Sequence, residues 1–130
     1  MTRKEIIQYW IDSSDVDFRA MDSLFVNGHY TWALFVGHLV IEKLLKAYYV
    51  KIIDVNAPQI HHLLKIAEQT GFELSEDQKD FLLEVTTFNI KARYPDFKQR
   101  FYQKATKEFA GQYIQKIKEF KTWILNKIKN

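Results

Sequence analysis

The chain has 130 residues, of which 47% are hydrophobic and 15% aromatic, so a disordered protein is excluded and one folded domain over residues 1–130 is predicted. It has no cysteine, which excludes disulfides and thiolate sites and leads us to expect a cytoplasmic protein. The net charge of +3 is unevenly distributed: residues 1–97 carry 10 Lys/Arg and 14 Asp/Glu, and residues 98–130 carry 9 and 2. The basic C-terminal part suits a phosphate-bearing or acidic partner, or is a solvated helix face.

The N-terminal segment predicts a helix that begins near Arg3. Thr2 and Glu5 have the spacing of a capping box, and the apolar residues that follow recur every three or four positions. Gly28 is a natural helix stop, and the short link after it predicts an antiparallel pair with the next helix. The start of the chain lacks the apolar run of a secretory signal, so none is expected.

The segment from Tyr30 to Ile53 is hydrophobic on nearly every side of a helical wheel, which is typical of the central helix of a bundle. His38, Glu42, Lys43 and Lys46 lie in its middle, where charges disfavour a membrane span. Three of them, His38, Glu42 and Lys46, are spaced four apart and form one polar stripe. We expect this stripe to face solvent, a partner chain or polar groups of another segment.

Further helices are predicted downstream of two breakers, Asn56 and Pro58. A short helix is expected from about His61 to Gln69, and a capping box at Ser75 and Gln78 opens a helix to about Ala92. Residues 93–105 are predicted to be a loop, because Pro95 disfavours a helical Tyr94. Residues 106–129 have strong helical periodicity. The predicted fold is an all-α, up-and-down bundle of four to five helices.

The predicted loop after the fourth helix carries unusual chemistry for a connection. Arg93 offers a planar fork for phosphate or carboxylate, Tyr94 a ring face, and Asp96 a carboxylate that can orient the arginine. Arg100 extends the same pattern, and cations interleaved with aromatic rings suit single-stranded RNA or a nucleotide. The alternative is structural: Arg93 pairs with an acidic residue such as Glu42, and Tyr94 closes the end of the bundle.

Histidines are the other candidate functional groups. His61 and His62 are adjacent and point in different directions on a helix, and no HExxH motif occurs, so no metal site is predicted. His38 is either a satisfied core histidine or a group that lines a pocket. No glycine-rich phosphate loop or GxSxG motif is present, and no cofactor is predicted.

Several of these segments together resemble the HEPN (higher eukaryotes and prokaryotes nucleotide-binding) family. The central FVGHLVIEKLLKA is similar to the family's F-x-x-H-x-x-x-E-K-x-L-K-A helix, and NGHYTWALF to its G-x-Y-x-x-A-x-F entry. HHLLKIAE is similar to H-D-L-x-x-L with His62 in place of Asp, and FNIKARYPD to Y/N-x-x-x-R-Y-P-D. The resemblance implies a helical bundle, commonly a homodimer, with a polar groove for nucleotide or RNA near the arginine. It also implies partnership with a minimal nucleotidyltransferase in toxin–antitoxin-like systems.

One family feature is missing. Active HEPN ribonucleases carry R-x(4–6)-H, but the residues at that distance from Arg93 are Lys98, Gln99 and Arg100. Neither lysine nor arginine shuttles protons near neutral pH. We therefore predict a non-catalytic module that binds nucleotide, RNA or a partner protein, with no membrane association. The alternative is a metal-independent ribonuclease with a non-standard base, His38 or His61. The ligand-binding candidates are Arg93, Tyr94, Asp96, His38, Glu42, Lys46, His61 and Arg100.

Overall fold

The computed structural model describes all residues 1–130 and contains helices as its only regular secondary structure. The predicted all-α class is confirmed, although the number of helices is six rather than four to five. Their bounds are α1 Arg3–Val26, α2 Tyr30–Ile52, α3 Leu63–Gln69, α4 Glu76–Lys91, α5 Pro95–Lys104 and α6 Lys107–Lys129.

The predicted helix starts are confirmed where the local chemistry is strong. Thr2 with Glu5 and Ser75 with Gln78 both form capping boxes, in which each side chain bonds the other residue's backbone N–H. Two backbone donors at each helix start are satisfied in this way. Gly28 has a φ of 82°, which glycine adopts without strain, and it turns the chain from α1 back along α2.

Helix α2 is the centre of the bundle, as predicted. It packs against every other helix, most extensively against α1 and α6, and eight of its apolar residues are completely buried. Gly37 allows α6 to come close, because a Cβ there would lie 2.6 Å from Ile117 Cδ1. The buried stripe of α6 covers this side of α2 and comprises Ala110, Ile114, Ile117, Phe120, Ile124 and Ile128.

The prediction of a loop over residues 93–105 is wrong. Tyr94 is extended (φ −97°, ψ 130°), as the following proline requires, but Pro95 is then the first residue of α5. Proline is favourable at this position because its missing N–H has no helical acceptor and its φ is already helical. Phe101 anchors α5 by its burial against Phe88.

Part of the basic charge of α6 is neutralised within the bundle. Lys118 and Lys121 pair with Asp22 and Asp15 of α1, at 3.5 and 3.4 Å. These are exposed pairs, which contribute little stability, but they orient α6 against α1. None of the helices is both long and apolar enough to cross a membrane.

Candidate functional site

The polar stripe of α2 meets the segment before α3, and Glu42 is the centre of the contact. Its Oε2 accepts from Lys46 Nζ at 3.0 Å, and its Oε1 accepts from His61 Nδ1 at 2.8 Å. His38 Nε2 donates to the backbone carbonyl of His61 at 3.1 Å. The stripe was expected to face solvent, a partner chain or polar groups of another segment, and in the structure it faces polar groups of the segment before α3. We call His38, Glu42, Lys46 and His61 the central polar cluster.

Burial divides this cluster into an inner and an outer part. The side chains of Glu42 and Lys46 are only 7% and 8% exposed, and that of His38 is fully buried, whereas that of His61 is 62% exposed. A carboxylate and an ammonium persist at such depth because each has the other as a partner. His38 and Glu42 thus hold the backbone and the ring of His61 in place, and His61 is the member that faces solvent.

His38 is held in one tautomer. Its Nε2 bonds a carbonyl, which only accepts, so this nitrogen carries the proton. Burial lowers the pKa of His38, and although Glu42 and the His61 carbonyl oppose this shift, the positive charge of Arg93 adds to it. The imidazole is therefore neutral at pH 7, and its buried Nδ1 is an acceptor without a partner in the protein.

His61 has the opposite tautomer. Its Nδ1 donates to the Glu42 carboxylate, so in the neutral ring Nε2 carries the free lone pair. Nε2 makes no hydrogen bond within the chain, and the ring is largely exposed. A histidine oriented by a carboxylate, with its second nitrogen free, is a group that can bind a phosphate when protonated or accept a proton when neutral.

Arg93 lies at the end of α4, close to the same side of α2. Its Nε and Nη2 donate to the backbone and side-chain oxygens of Asn89, both at 2.9 Å. The guanidinium packs 5.4 Å from the centre of the Phe35 ring and 5.7 Å from that of Tyr94. It makes no bond to Glu42, so the structural alternative, an Arg93–Glu42 pair, is wrong. Its remaining N–H groups are free to bind a ligand, and no carboxylate neutralises its charge.

Aromatic rings and cations continue along the surface beyond Arg93. Trp32 lies one turn before Phe35 on α2, their rings meet edge to face at 5.9 Å, and Lys98 of α5 lies 5.0 Å from the Trp32 ring. Trp32 and Tyr94 are 40% and 52% exposed. Together with the end of α4 these residues form a surface that we call the arginine–aromatic face: Trp32, Phe35, Arg93, Tyr94 and Lys98.

The sequence is similar to that of a known protein family. The profile of the HEPN domain matches residues 7–128, nearly the whole chain. The chain belongs to the HEPN domain family. The resemblance seen in the central helix and in the ARYPD segment is thereby confirmed.

The fold of this HEPN domain also occurs in a solved structure. The crystal structure of TT1696 from Thermus thermophilus superposes with a TM-score of 0.79 at 17% identity, covering 93% of this chain and 97% of that one. At this identity the likeness concerns the fold. No curated protein matches the sequence.

Two of the predicted site residues of the HEPN domain lie apart from the rest. Asp96 is exposed in the first turn of α5 and makes no bond to Arg93, so it does not orient the guanidinium. Arg100 is exposed on α5 and its side chain makes no hydrogen bond, ion pair or cation–π contact within the chain. The orienting role belongs to Asn89, whose i, i+4 spacing to Arg93 is the sequence signal that would have identified it.

The arginine–aromatic face includes three residues that we did not predict: Trp32, Phe35 and Lys98. Trp32 and Phe35 are three positions apart on a helix, a spacing that was available from sequence. The position of Lys98 depends on α5 being helical. No group of three or more His, Cys, Asp or Glu side chains is arranged to hold a metal ion.

Proposed function

We propose that this HEPN domain is a non-catalytic module that binds a nucleotide or single-stranded RNA on the arginine–aromatic face. The observation that carries the proposal is the guanidinium of Arg93, which Asn89 holds at two points and which no carboxylate neutralises. Its Nη1 has no partner in the protein. Such a group gives a phosphate a charged, directional partner without reorganisation of the side chain.

The rings beside Arg93 supply the second half of a nucleotide site. Tyr94 and Trp32 are the most exposed of them, and Phe35 lies under the guanidinium. Bases stack on such rings whatever their sequence, and each stacked base contributes about 1–3 kcal/mol. Lys98 beside Trp32 adds a second cation for the backbone. The proposal therefore favours binding with little sequence preference and strong salt dependence.

The central polar cluster has a supporting role in this proposal. Glu42 and Lys46 are buried and pair with each other, so they do not touch the ligand. Glu42 also accepts from His61 Nδ1 and thereby orients that ring. His61 is the one member exposed enough to reach a phosphate. The candidate site thus consists of the arginine–aromatic face together with His61, with His38, Glu42 and Lys46 behind them.

The proposal extends to protein partners, because the family resemblance implies a homodimer and a minimal nucleotidyltransferase in a toxin–antitoxin-like pair. Three large apolar side chains near Arg93, Ile90, Tyr94 and Phe97, are about half exposed and suit a protein contact. Co-purification from the native host, followed by mass spectrometry of bound nucleotides and proteins, distinguishes these partners.

Replacing Arg93 by Ala is expected to weaken RNA binding by about ten- to a hundredfold, because a hydrogen-bonded charge contributes roughly 1.5–3 kcal/mol. Stability is expected to change by less than about 0.5 kcal/mol, since the side chain is exposed. Fluorescence anisotropy with a labelled single-stranded RNA measures the first effect, and thermal unfolding measures the second.

Arg100→Ala is the matched control, since it removes an exposed cation from the basic part of the chain but not from the face. It is expected to weaken RNA binding by less than Arg93→Ala. Equal losses in the two variants would point to diffuse charge attraction and contradict the proposed site. A large drop in stability of Arg93→Ala would show that Arg93 is structural.

A second function, ribonuclease activity, is favoured by one observation: the Glu42–His61 hydrogen bond of 2.8 Å. A carboxylate–histidine pair with a free Nε2 is suited to removing a proton from a ribose hydroxyl. His38 is unsuited to this role because it is buried and its Nε2 is occupied. Of the two substitute bases that we considered, His61 is therefore the candidate.

For the ribonuclease function, the wild type is expected to cleave single-stranded RNA in the presence of EDTA, and His61→Ala is expected to lower the rate about 100-fold or more. His62→Asn is the control, because it changes the adjacent histidine but keeps an acceptor for the N–H of Lys65. RNA that stays intact with an excess of clean wild-type protein removes the ribonuclease function and leaves the binding module.

A further inference from the structure

The segment that links α2 and α3 is held to the rest of the fold mainly at one residue. We call its residues 54–61 the connector; none of them is buried, and Ile60 packs partly against the core. The connector makes two hydrogen bonds to other segments, and both involve His61: its carbonyl accepts from His38 Nε2, and its Nδ1 donates to Glu42. A segment with so few buried contacts opens locally at a much lower cost than global unfolding.

The attachment of the connector depends on a ring that is neutral in the closed form. His38 is fully buried, and its Nδ1 is an acceptor with no partner in the protein. A proton on Nδ1 turns this acceptor into a buried donor, again without a partner, and places a positive charge at the same point. Both changes are costly in the interior of a protein.

The charged groups around His38 do not compensate for this added charge. Glu42 Oε1 lies 3.7 Å from His38 Nε2, but the two oxygens of this carboxylate already accept from Lys46 and His61. The other charged groups around the ring and the carboxylate are cations: Lys46 on α2, Arg93 at the end of α4 and, when protonated, His61 in the connector. A protonated His38 thus adds a further cation to one shared carboxylate.

The proton on His38 is bound more weakly in the closed form than in water. Burial is the main cause of the lowered pKa of His38, so a form in which water reaches the ring takes up the proton more readily. Acidification therefore favours the open form. The change begins as the pH falls through about 6.5, the ordinary pKa of histidine, and is complete below the lowered pKa of the closed form.

We propose that a proton on His38 releases the connector from α2, which makes the connector a pH-sensitive switch. The connector opens in preference to the surrounding helices, because those helices contain buried residues and the connector contains none. On release, His61 loses both of the bonds that hold it. The proposed function places His61 beside the RNA, and on that function rests the further expectation that acidification weakens RNA binding.

Electron paramagnetic resonance of a nitroxide on the connector measures the release directly. The chain has no cysteine, so Gln59→Cys, an exposed position two residues before His61, provides a single labelling site. The nitroxide is expected to be more mobile at about pH 5.5 than at about pH 7.5. In this background His38→Gln is expected to remove most of the pH dependence, because glutamine keeps an N–H donor for the His61 carbonyl but takes up no proton.

His29→Gln is the matched control. It replaces an exposed histidine at the start of α2 whose side chain makes no capping bond, and it is expected to keep the pH response of the labelled parent protein. Circular dichroism is expected to show the same helix content at both pH values. A loss of helix content over this range would indicate global unfolding and contradict a release confined to the connector.

A second measurement makes the test independent of how well glutamine replaces histidine. Nuclear magnetic resonance of the histidine rings gives the titration midpoint of His38, and the change in nitroxide mobility is expected to have the same midpoint. A mobility that stays constant between the two pH values, or that follows the titration of another histidine, would overturn the proposal.

RNA binding separates the switch from the proposed function. From about pH 7.5 to about pH 5.5 the wild type is expected to lose roughly threefold more affinity for a labelled single-stranded RNA than His38→Gln, because only the closed fraction keeps His61 in place. Equal pH dependence of the two proteins would disprove regulation of the RNA site. If RNA binds at neither pH, the proposed function is wrong, and the nitroxide measurement still decides whether the connector is released.

Discussion

Glu42→Ala is expected to lower the free energy of unfolding by about 3–5 kcal/mol, which is a large part of the stability of a small domain. The substitution leaves the Lys46 ammonium, 8% exposed, without its carboxylate partner. It also removes the acceptor that holds His61 Nδ1, so the segment before α3 loses its attachment to α2. Urea unfolding followed by circular dichroism at pH 7 measures the loss.

Two further variants separate charge from packing. Glu42→Leu/Lys46→Met removes both charges and fills the same space, so it is expected to recover most of the stability lost in Glu42→Ala. Glu42→Gln keeps a hydrogen-bond acceptor and is expected to fall between Glu42→Ala and the wild type. A loss below about 1 kcal/mol for Glu42→Ala would mean that Lys46 reaches solvent along its flexible stem, and that the pair is not needed.

Phe88→Ala is expected to destabilise the domain by about 3–5 kcal/mol, the usual cost of emptying a buried phenylalanine site. Phe88 is fully buried on α4. Its ring contacts Phe101 of α5 and Phe109 and Tyr113 of α6, with ring centres 5.2 to 6.2 Å apart. Three helices lose a shared contact, and α5 loses the partner of its single buried residue.

Leu83→Ala is the matched control on the same helix, because Leu83 is 44% exposed. It is expected to cost less than about 1 kcal/mol. Urea unfolding of both variants measures the difference, and similar losses would contradict the burial of Phe88. Because α5 follows Arg93 directly, Phe88→Ala is also expected to weaken RNA binding in conditions where the variant remains folded.

Local chemistry explains which parts of the fold were predictable. Capping boxes at Thr2 and Ser75, the stop at Gly28 and the apolar periodicity of α6 each depend on residues within a few positions of one another. The same locality explains the error at Pro95. Proline ends a helix and also begins one, and the signal that decides between them is the distant burial of Phe101 against Phe88.

The candidate site was predicted unevenly for the same reason. The polar stripe of His38, Glu42 and Lys46 follows from their spacing alone. Because burying a charge is costly, the stripe could also be expected to have polar partners. The identity of the partner could not be predicted, because His61 lies 19 positions from Glu42 in the sequence. Neither of the partners considered for Arg93, Asp96 and an acidic residue such as Glu42, bonds it in the structure; its partner is Asn89, one helical turn earlier.

The sequence alone determines that this protein is an all-helical HEPN domain with a charged stripe on its central helix. Helix periodicity, caps and the ARYPD segment are short-range features that are independent of the rest of the chain. Only the tertiary structure decided that Glu42 orients His61 and that Arg93 is free of carboxylates. Each depends on side chains from separate segments, whose meeting is set by the packing of the whole core and not by any local pattern.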